Sequence, residues 1–177
     1  MELVEALHVA TVDTPIGAIR LASTDDGLAY VELPHHSGRG LGGWLRTRAP
    51  GACVAEGFAP NRAAARQILD YLEGKRRSFD LELDLRGTAF QLEVWQALRE
   101  IPYGETVSYQ ELARRVGRPK GSRAVGAANA ANPLSLVVPC HRVVQKGGKL
   151  GGYAGGLELK ARLLALEHDR PRQGDLL

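Results

Sequence analysis

The distribution of helix-start signals constrains the fold of this chain more than any other feature. Residues 88–91 (Thr-Ala-Phe-Gln) and 108–111 (Ser-Tyr-Gln-Glu) both have the capping-box pattern, which satisfies the first free N–H groups of a helix. The first half instead contains strand-like segments at residues 18–22 and 28–33, joined by an Asp-Asp-Gly turn. Strands followed by a run of helices predict an α+β fold.

We predict two domains and a short tail. Residues 1–86 form a small β-rich lobe, interpreted as a scaffold because it contains no convincing chemical motif. Residues 87–170 form a mainly helical domain, and residues 171–177 form a C-terminal tail. The length of 177 residues is sufficient for one large or two small domains with a real core.

One helix is predicted for the N-terminal lobe, over residues 62–73, with Asn61 as its cap and Gly74 as its stop. Its predicted core face consists of Ala65, Ile68, Leu69 and Leu72. Residues 35–43 are predicted to be a glycine-rich loop. Its glycines match the G-x-G-x-x-G spacing, but no long helix follows and no βαβ unit is visible, so we reject a dinucleotide site.

Two short helices joined by a Gly/Pro turn are predicted over residues 109–116 and 123–131, with Ser122 as the second cap, and they form a helix-turn-helix. The second helix is nearly devoid of large side chains, because it contains Ala124, Gly126, Ala127, Ala128, Ala130 and Ala131. Five cations surround it: Arg114, Arg115, Arg118, Lys120 and Arg123. A smooth helix ringed by cations fits a narrow nucleic-acid groove, and ordinary packing of an alanine-rich helix is the alternative.

The charge distribution is compatible with this interpretation. Residues 1–87 contain 10 Lys and Arg against 12 Asp and Glu, whereas residues 88–177 contain 13 against 8. A basic C-terminal half indicates a polyanionic partner, although a solvated basic face would give the same balance.

The candidate nucleophile lies in the sequence Pro-Cys-His-Arg-Val at residues 139–143. The apolar run at residues 136–138 is typical of a short buried strand, and Pro139 ends it, which places Cys140 at a strand end. A neighbouring imidazole, here His141, raises the thiolate fraction of a cysteine. The alternative is a small core cysteine followed by a histidine with an ordinary turn role.

A buried acid is predicted at Glu167, on a final helix over residues 157–168. Leu163 and Leu164 lie on the inner face of that helix, and Glu167 follows them by four and three residues. A glutamate on an apolar face needs a partner, and the Cys-His-Arg turn at residues 140–142 offers a basic one. Exposure near a frayed helix end is the alternative.

Several classes of protein are excluded. With Cys53 and Cys140 as its two cysteines, the chain cannot form a disulfide framework, and it has no C-x-x-C or H-x-x-x-H spacing for a metal. No apolar run is long enough to span a membrane and no secretion signal is present, so we expect a cytoplasmic protein without a metal or cofactor.

These features together resemble the O6-alkylguanine-DNA alkyltransferases over residues 88–167. The resemblance is carried by Phe90, Val94-Trp95, Ile101-Pro102, Gly104, Ser108-Tyr109, Arg123-Ala124-Val125-Gly126, Asn132-Pro133, Pro139-Cys140-His141-Arg142-Val143, Tyr153, Gly155-Gly156 and Glu167. It implies a ribonuclease-H-like N-terminal lobe and a winged helix-turn-helix in the C-terminal domain. It also implies a monomer that binds the minor groove of double-stranded DNA, flips out an O6-alkylguanine and takes the alkyl group irreversibly.

The resemblance also implies a role for each site residue. Cys140 would accept the alkyl group, and His141 would deprotonate it through a water. Glu167 would hold and polarise His141, and Asn132 would brace the turn. Tyr109 would aid base flipping and bind guanine N3.

The DNA-binding and pocket residues follow from the same resemblance. Arg123 would fill the gap left by the flipped base, and the remaining DNA contacts would come from Ala124, Gly126, Ala127, Tyr109, Arg114, Arg115 and Lys120. The substrate pocket would be formed by Val143, Tyr153, Ala154 and Trp95.

Two other classes of function remain open from the residues. A cysteine hydrolase would use the same Cys-His-Glu set with water as the final acceptor, but it would not need a smooth basic helix-turn-helix. A non-catalytic DNA-binding module would need the helix-turn-helix but not a thiol beside an imidazole.

Overall fold

The computed structural model describes residues 3–168, and the predicted α+β class is confirmed. The strands are β1 (Ala6–Thr14), β2 (Gly17–Thr24), β3 (Gly27–Glu32), β4 (Cys53–Glu56), β5 (Val107–Ser108) and β6 (Val143–Val144). The helices are α1 (Gly40–Arg48), α2 (Arg62–Leu72), α3 (Ala89–Arg99), α4 (Tyr109–Arg115), α5 (Ser122–Ala130) and α6 (Leu157–His168). The predicted tail at residues 171–177 lies outside the described residues.

The first four strands form one sheet in the order β3-β2-β1-β4. Two hairpins make the β1–β2 and β2–β3 pairs antiparallel, whereas β4 returns parallel to β1. The predicted turn before β3 is confirmed, and Gly27 is required there. Its φ is +140°, and a Cβ atom would lie 2.4 Å from the carbonyl oxygen of Glu82.

Two local predictions for the N-terminal lobe are wrong. Residues 35–43 are not all loop, because α1 begins at Gly40; the Glu32 carboxylate accepts the N–H of Leu41 at 2.7 Å and replaces a local cap. Asn61 precedes α2 as predicted, but its side chain does not cap the helix. It is buried and donates to the carbonyl oxygens of His8 and Gly57.

The main core joins both halves of the chain. One cluster of buried side chains includes Leu21 and Val31 from the sheet, Ile68 from α2, Trp95 from α3 and Leu163 from α6. The sheet and α2 are therefore packed directly against the helical half. The domain boundary after residue 86 stays a prediction.

The helix starts of the C-terminal half form largely as predicted. Thr88 and Gln91 make both hydrogen bonds of a capping box at the start of α3, and Ser108 caps α4 by accepting the N–H of Glu111 at 3.0 Å. The cap predicted at Ser122 is wrong by one position, since Ser122 is the first residue of α5 and Gly121 precedes it. The short connection between α4 and α5 gives the predicted helix-turn-helix order.

The apolar run at residues 136–138 is buried, but it is not the predicted strand. Leu136 has a left-handed φ of 76°, and the N–H of Val138 donates to the carbonyl oxygen of Leu134 at 2.8 Å, which closes a turn. A left-handed branched residue persists only where its surroundings impose that conformation. The β-branched residues correctly indicate that this segment is buried, but a buried turn satisfies that requirement as well as a strand does.

Candidate active site

Asn132 fixes the backbone that leads to Cys140. Its Oδ1 accepts the N–H of Leu134 at 2.9 Å, and its Nδ2 donates to the carbonyl oxygen of Val138 at 2.8 Å. These bonds satisfy buried backbone groups that a strand ladder would otherwise satisfy. Cys140 then opens a short 3-10 helix, Cys140–Arg142, which runs into β6. The side chain of Asn132 therefore holds the two sides of this turn by hydrogen bonds.

The Cys140 thiol is buried but borders a cavity. The residue is 4% exposed and lines a cavity of about 590 Å³, within the range of roughly 300–1,000 Å³ that is usual for small-molecule sites. Burial raises the pKa of the thiol, while hydrogen bonds from Asn132 and Ser135 and the positive charge of Lys160 act in the opposite direction. The resting group is a thiol, and a base must deprotonate it before the sulfur can act as a nucleophile.

His141, which follows Cys140 in the chain and is completely buried, is the candidate base. Its Nε2 lies 2.8 Å from Oε1 of Glu167. Burial lowers the pKa of His141 despite the neighbouring carboxylate, so the imidazole is neutral near pH 7. An ionised carboxylate can only accept, so Nε2 carries the proton and Nδ1 has the lone pair. Nδ1 has no hydrogen-bond partner among residues 3–168, which leaves it available as the basic nitrogen.

Glu167 is a buried carboxylate with a full set of donors, and the predicted basic partner from the Cys-His-Arg turn is confirmed. Arg142 binds it in a fork, with Nη2 at 2.9 Å from Oε1 and Nε at 3.0 Å from Oε2. The backbone N–H of Gly104 also donates to Oε2, at 3.2 Å. Burial alone would raise the pKa of Glu167, but the hydrogen bonds from His141 and Arg142 outweigh it and lower the pKa to about 2.

Three further side chains complete the site without having been assigned a role from the sequence. Tyr71 of α2 donates its hydroxyl hydrogen to Oε1 of Glu167 at 2.7 Å. Lys160 of α6 is fully buried, and its Nζ donates to the carbonyl oxygens of Val143, Leu150 and Gly152. Arg142 belongs to the Cys-His-Arg turn, from which the sequence predicts a basic partner for Glu167 without indicating which residue pairs with the acid. The lysine ties the loop after β6 to the final helix.

The cavity beside Cys140 contains some of the predicted pocket residues and not others. Tyr109, Gly126, Tyr153 and Ala154 line it together with Ser37, Gly38, Asn129, Ala130, Asn132, Ser135 and Gly152. Trp95 does not line this cavity, since its side chain is 1% exposed and its Nε1 donates to the carbonyl oxygen of Ala128. Val143 is also fully buried and does not line the cavity.

The predicted DNA-binding face is largely exposed. Arg123, Ala124, Ala127 and Lys120 are open to solvent, so the outer surface of α5 is smooth. Two basic residues of α4 form ion pairs within the helix, because Glu111 pairs with Arg114 at 3.7 Å and with Arg115 at 3.3 Å on the exposed surface. Arg118 lies over the ring of Phe90.

Two classes of site are not found in residues 3–168. No group of three or more His, Cys, Asp or Glu side chains is arranged to hold a metal ion. Within the same range, no helix is both long and apolar enough to cross a bilayer.

Comparison with known proteins identifies the class to which this arrangement belongs. The family model described as "6-O-methylguanine DNA methyltransferase, DNA binding domain" matches residues 89–169. The methylated-DNA–protein-cysteine methyltransferase of Methanosarcina acetivorans is 46% identical over 161 residues, which cover 91% of this chain and 98% of the relative. The inducible enzyme of that name from Bacillus subtilis is 47% identical over 147 residues, covering 83% and 82%.

A solved structure agrees with these sequence relationships. The crystal structure of Mycobacterium tuberculosis OGT in complex with DNA matches this fold with a TM-score of 0.79 and 42% identity, covering 91% of this chain and 92% of that chain. The chain belongs to the methylated-DNA–protein-cysteine methyltransferase family.

Proposed function

We propose that this chain repairs O6-alkylguanine in double-stranded DNA by transferring the alkyl group to Sγ of Cys140 in a single turnover. One observation carries the proposal: a buried thiol borders a cavity of about 590 Å³ and is followed in the chain by a neutral histidine that an ionised glutamate orients. The relatives are named methylated-DNA–protein-cysteine methyltransferases, and that name describes the same reaction.

The chemistry balances without a cofactor. The proton of the Cys140 thiol passes to Nδ1 of His141 through a water, and the sulfur attacks the alkyl carbon. The bond from that carbon to guanine O6 breaks as the carbon–sulfur bond forms. The guanine leaves as an anion and takes up one proton at N1, so His141 returns to its neutral form. The thioether formed on Cys140 has no route back to a thiol, which limits each molecule to one transfer.

The helix-turn-helix would deliver the lesion to this cavity. In our proposal α5 enters the minor groove, where small side chains such as Ala124 and Ala127 allow close approach and the surrounding cations hold phosphates. The target base must leave the stack to reach a buried sulfur, at a cost of a few kcal/mol. Arg123 fills the gap, and Tyr109, which lines the cavity, contacts the flipped guanine.

We also propose finer features of the sheet, of the helix-turn-helix and of the oligomeric state. The β3-β2-β1-β4 order, with β4 parallel to β1, supports a ribonuclease-H-like sheet. The α4–α5 pair supports a winged helix-turn-helix, with the segment after β6 as the wing. We propose that the protein acts as a monomer.

Intact mass spectrometry tests the proposed function. The protein is incubated with an excess of duplex containing O6-methylguanine, and the Cys140→Ser variant serves as the control. A gain of one methyl group on the wild type, none on the variant and no further product would support the transferase. Repeated turnover without a mass gain would indicate a cysteine hydrolase, and binding without either outcome would indicate a DNA-binding module.

A further inference from the structure

Tyr71, a residue of the sheet-and-α2 lobe, contacts both His141 and Glu167. It lies in α2 and is completely buried, with its ring packed against Phe79 and Tyr103. Its hydroxyl group is directed away from the lobe and meets Glu167 and His141, which are 96 and 70 residues further along the chain. The N-terminal lobe therefore contributes directly to the site.

The direction of the Tyr71 hydrogen bond follows from the ionisation of its partners. Burial and the nearby carboxylate raise the pKa of Tyr71, so the phenol keeps its proton. Glu167 is ionised and can only accept, which makes Tyr71 the donor in the 2.7 Å bond to Oε1. The phenol oxygen then faces the Nε2–H of His141 at 3.2 Å. That oxygen contacts the same N–H in the neutral and the protonated imidazole, so the contact favours neither form strongly.

The hydrogen bond to Oε1 affects the basicity of His141. Oε1 of Glu167 is shared between Tyr71, His141 and Arg142, and every donor to it reduces the negative charge that stabilises a protonated imidazole. Without the Tyr71 hydroxyl, the carboxylate would favour the imidazolium more strongly. Among the residues that the structure describes, the ionisable groups around His141 and Glu167 are Tyr71 from α2, Arg142 from the 3-10 helix, Tyr153 from the loop after β6 and Lys160 from α6. Tyr103 packs against Tyr71 and Arg142, and Cys140 precedes His141 in the chain.

We propose that Tyr71 is a positioning residue for alkyl transfer, which fixes the Glu167 carboxylate and thereby keeps His141 a neutral base with Nδ1 free. This inference rests on the proposed function for its consequence, because a base that is already protonated cannot accept the proton of Cys140. The fixed orientation of His141 is a property of the protein itself and can be measured without any DNA.

The first test is a titration of the histidines by nitrogen-15 NMR on the unreacted protein. His141 is assigned by its absence from the His141→Gln spectrum, and the Tyr71→Phe variant removes only the hydroxyl group. A hydrogen bond to a charged acceptor corresponds to roughly one pH unit, so we expect the His141 midpoint to rise by about one unit in Tyr71→Phe. Tyr30→Phe is the matched control, since Tyr30 is a buried tyrosine of the same lobe in the separate core cluster around Trp44.

The second test is the single-turnover rate of methyl transfer from a duplex as a function of pH. In Tyr71→Phe the low-pH side of the rate profile should shift to higher pH together with the His141 midpoint. Below the wild-type midpoint the variant should react about tenfold more slowly than the wild type at the same pH, and at high pH the two rates should agree. A rate loss of equal size at every pH, with the same midpoint in both proteins, would overturn the inference and leave Tyr71 a packing residue.

The two measurements separate this inference from the proposed function. If the wild type transfers no methyl group, the proposed function fails, and the NMR midpoints still decide whether Tyr71 controls His141. If Tyr71→Phe does not fold, the wild type provides the test. A slowly exchanging Tyr71 hydroxyl proton close in space to the Nε2–H of His141 would support the inference, and fast exchange without that proximity would overturn it.

Discussion

Replacing Glu167 with glutamine removes one negative charge from the interior and should lower the stability of the unreacted protein. The side chain is 3% exposed and receives hydrogen bonds from Tyr71, His141, Arg142 and the backbone of Gly104. Glutamine keeps the shape but leaves the guanidinium of Arg142, 7% exposed, without a counter-ion. A buried charge that loses its partner is strongly destabilising.

The pKa of Glu167 sets the size of this effect. The carboxyl group has a pKa of about 2 in the folded protein against an ordinary value of 4.5, which corresponds to about 3 kcal/mol of stability near neutral pH. Because the folded pKa is the lower one, this stability is fully present above pH 4.5 and is lost as the pH falls towards 2. A domain has only about 5–15 kcal/mol in total, so the effect is large.

Urea unfolding of the wild type and Glu167→Gln at several pH values, in the absence of DNA, measures the difference. We expect a gap of about 3 kcal/mol at pH 7 that narrows as the pH is lowered from 4.5 towards 2, where the wild-type acid becomes neutral. Glu158→Gln, an exposed position in the first turn of the same helix, is the control and should change the free energy of unfolding by less than about 0.5 kcal/mol. A gap that is small at pH 7, or equally large at pH 7 and pH 3, would refute the assignment of Glu167 as an ionised buried partner.

Three further changes test other parts of the site. Cys140→Ser should abolish alkyl transfer while duplex affinity in a filter-binding or anisotropy assay stays nearly unchanged, because phosphate contacts supply most of the affinity; a large loss of binding in the folded variant would contradict this. Arg123→Ala should slow repair of a duplex far more than reaction with free O6-alkylguanine, since only the duplex requires base flipping; equal losses would assign Arg123 to the fold or the pocket. Asn132→Ala should lower the free energy of unfolding by about 1–3 kcal/mol for each buried backbone group left unpaired, and an unchanged urea midpoint would show that the turn is held by other contacts.

The sequence predicted best the features that depend on neighbouring residues. The Thr88 and Ser108 caps form because the hydroxyl of a residue just before a helix reaches the free N–H group three residues later. The position of Glu167 on the inner face of α6 also follows from helical spacing alone. The same rule would have identified Lys160, which lies three residues before Leu163 and is buried for the same geometric reason.

The predictions failed where a side chain outside the segment satisfies the backbone of that segment. The run at residues 136–138 has strand composition, but Asn132 satisfies the backbone on either side of it and permits a turn. Helix α1 begins inside a glycine-rich segment because Glu32 of β3 accepts one of its first N–H groups. Residue composition does not reveal either hydrogen bond. Asn132 is expected to brace the turn from the family resemblance alone, and Glu32 binds an N–H nine residues later in the chain.

The contribution of the N-terminal lobe could not be predicted for a related reason. Tyr71 follows Ile68 by three residues and shares its buried face, so its burial was predictable. A buried phenol also needs a hydrogen-bond partner, but nothing within the lobe indicates that the partner is Glu167. Because Tyr71 reaches Glu167, and Ser37 and Gly38 line the cavity, the scaffold interpretation of residues 1–86 is incomplete.

The ionisation states of the site favour catalysis by a neutral pair over a preformed thiolate–imidazolium pair. Burial raises the pKa of Cys140 and lowers that of His141, so both groups are uncharged at rest. The charge of Glu167 cannot reverse this, because Arg142 already balances it in a fork. In the proposed mechanism the acid therefore acts mainly by fixing the proton on Nε2, which leaves Nδ1 of His141 available to receive the proton of the thiol.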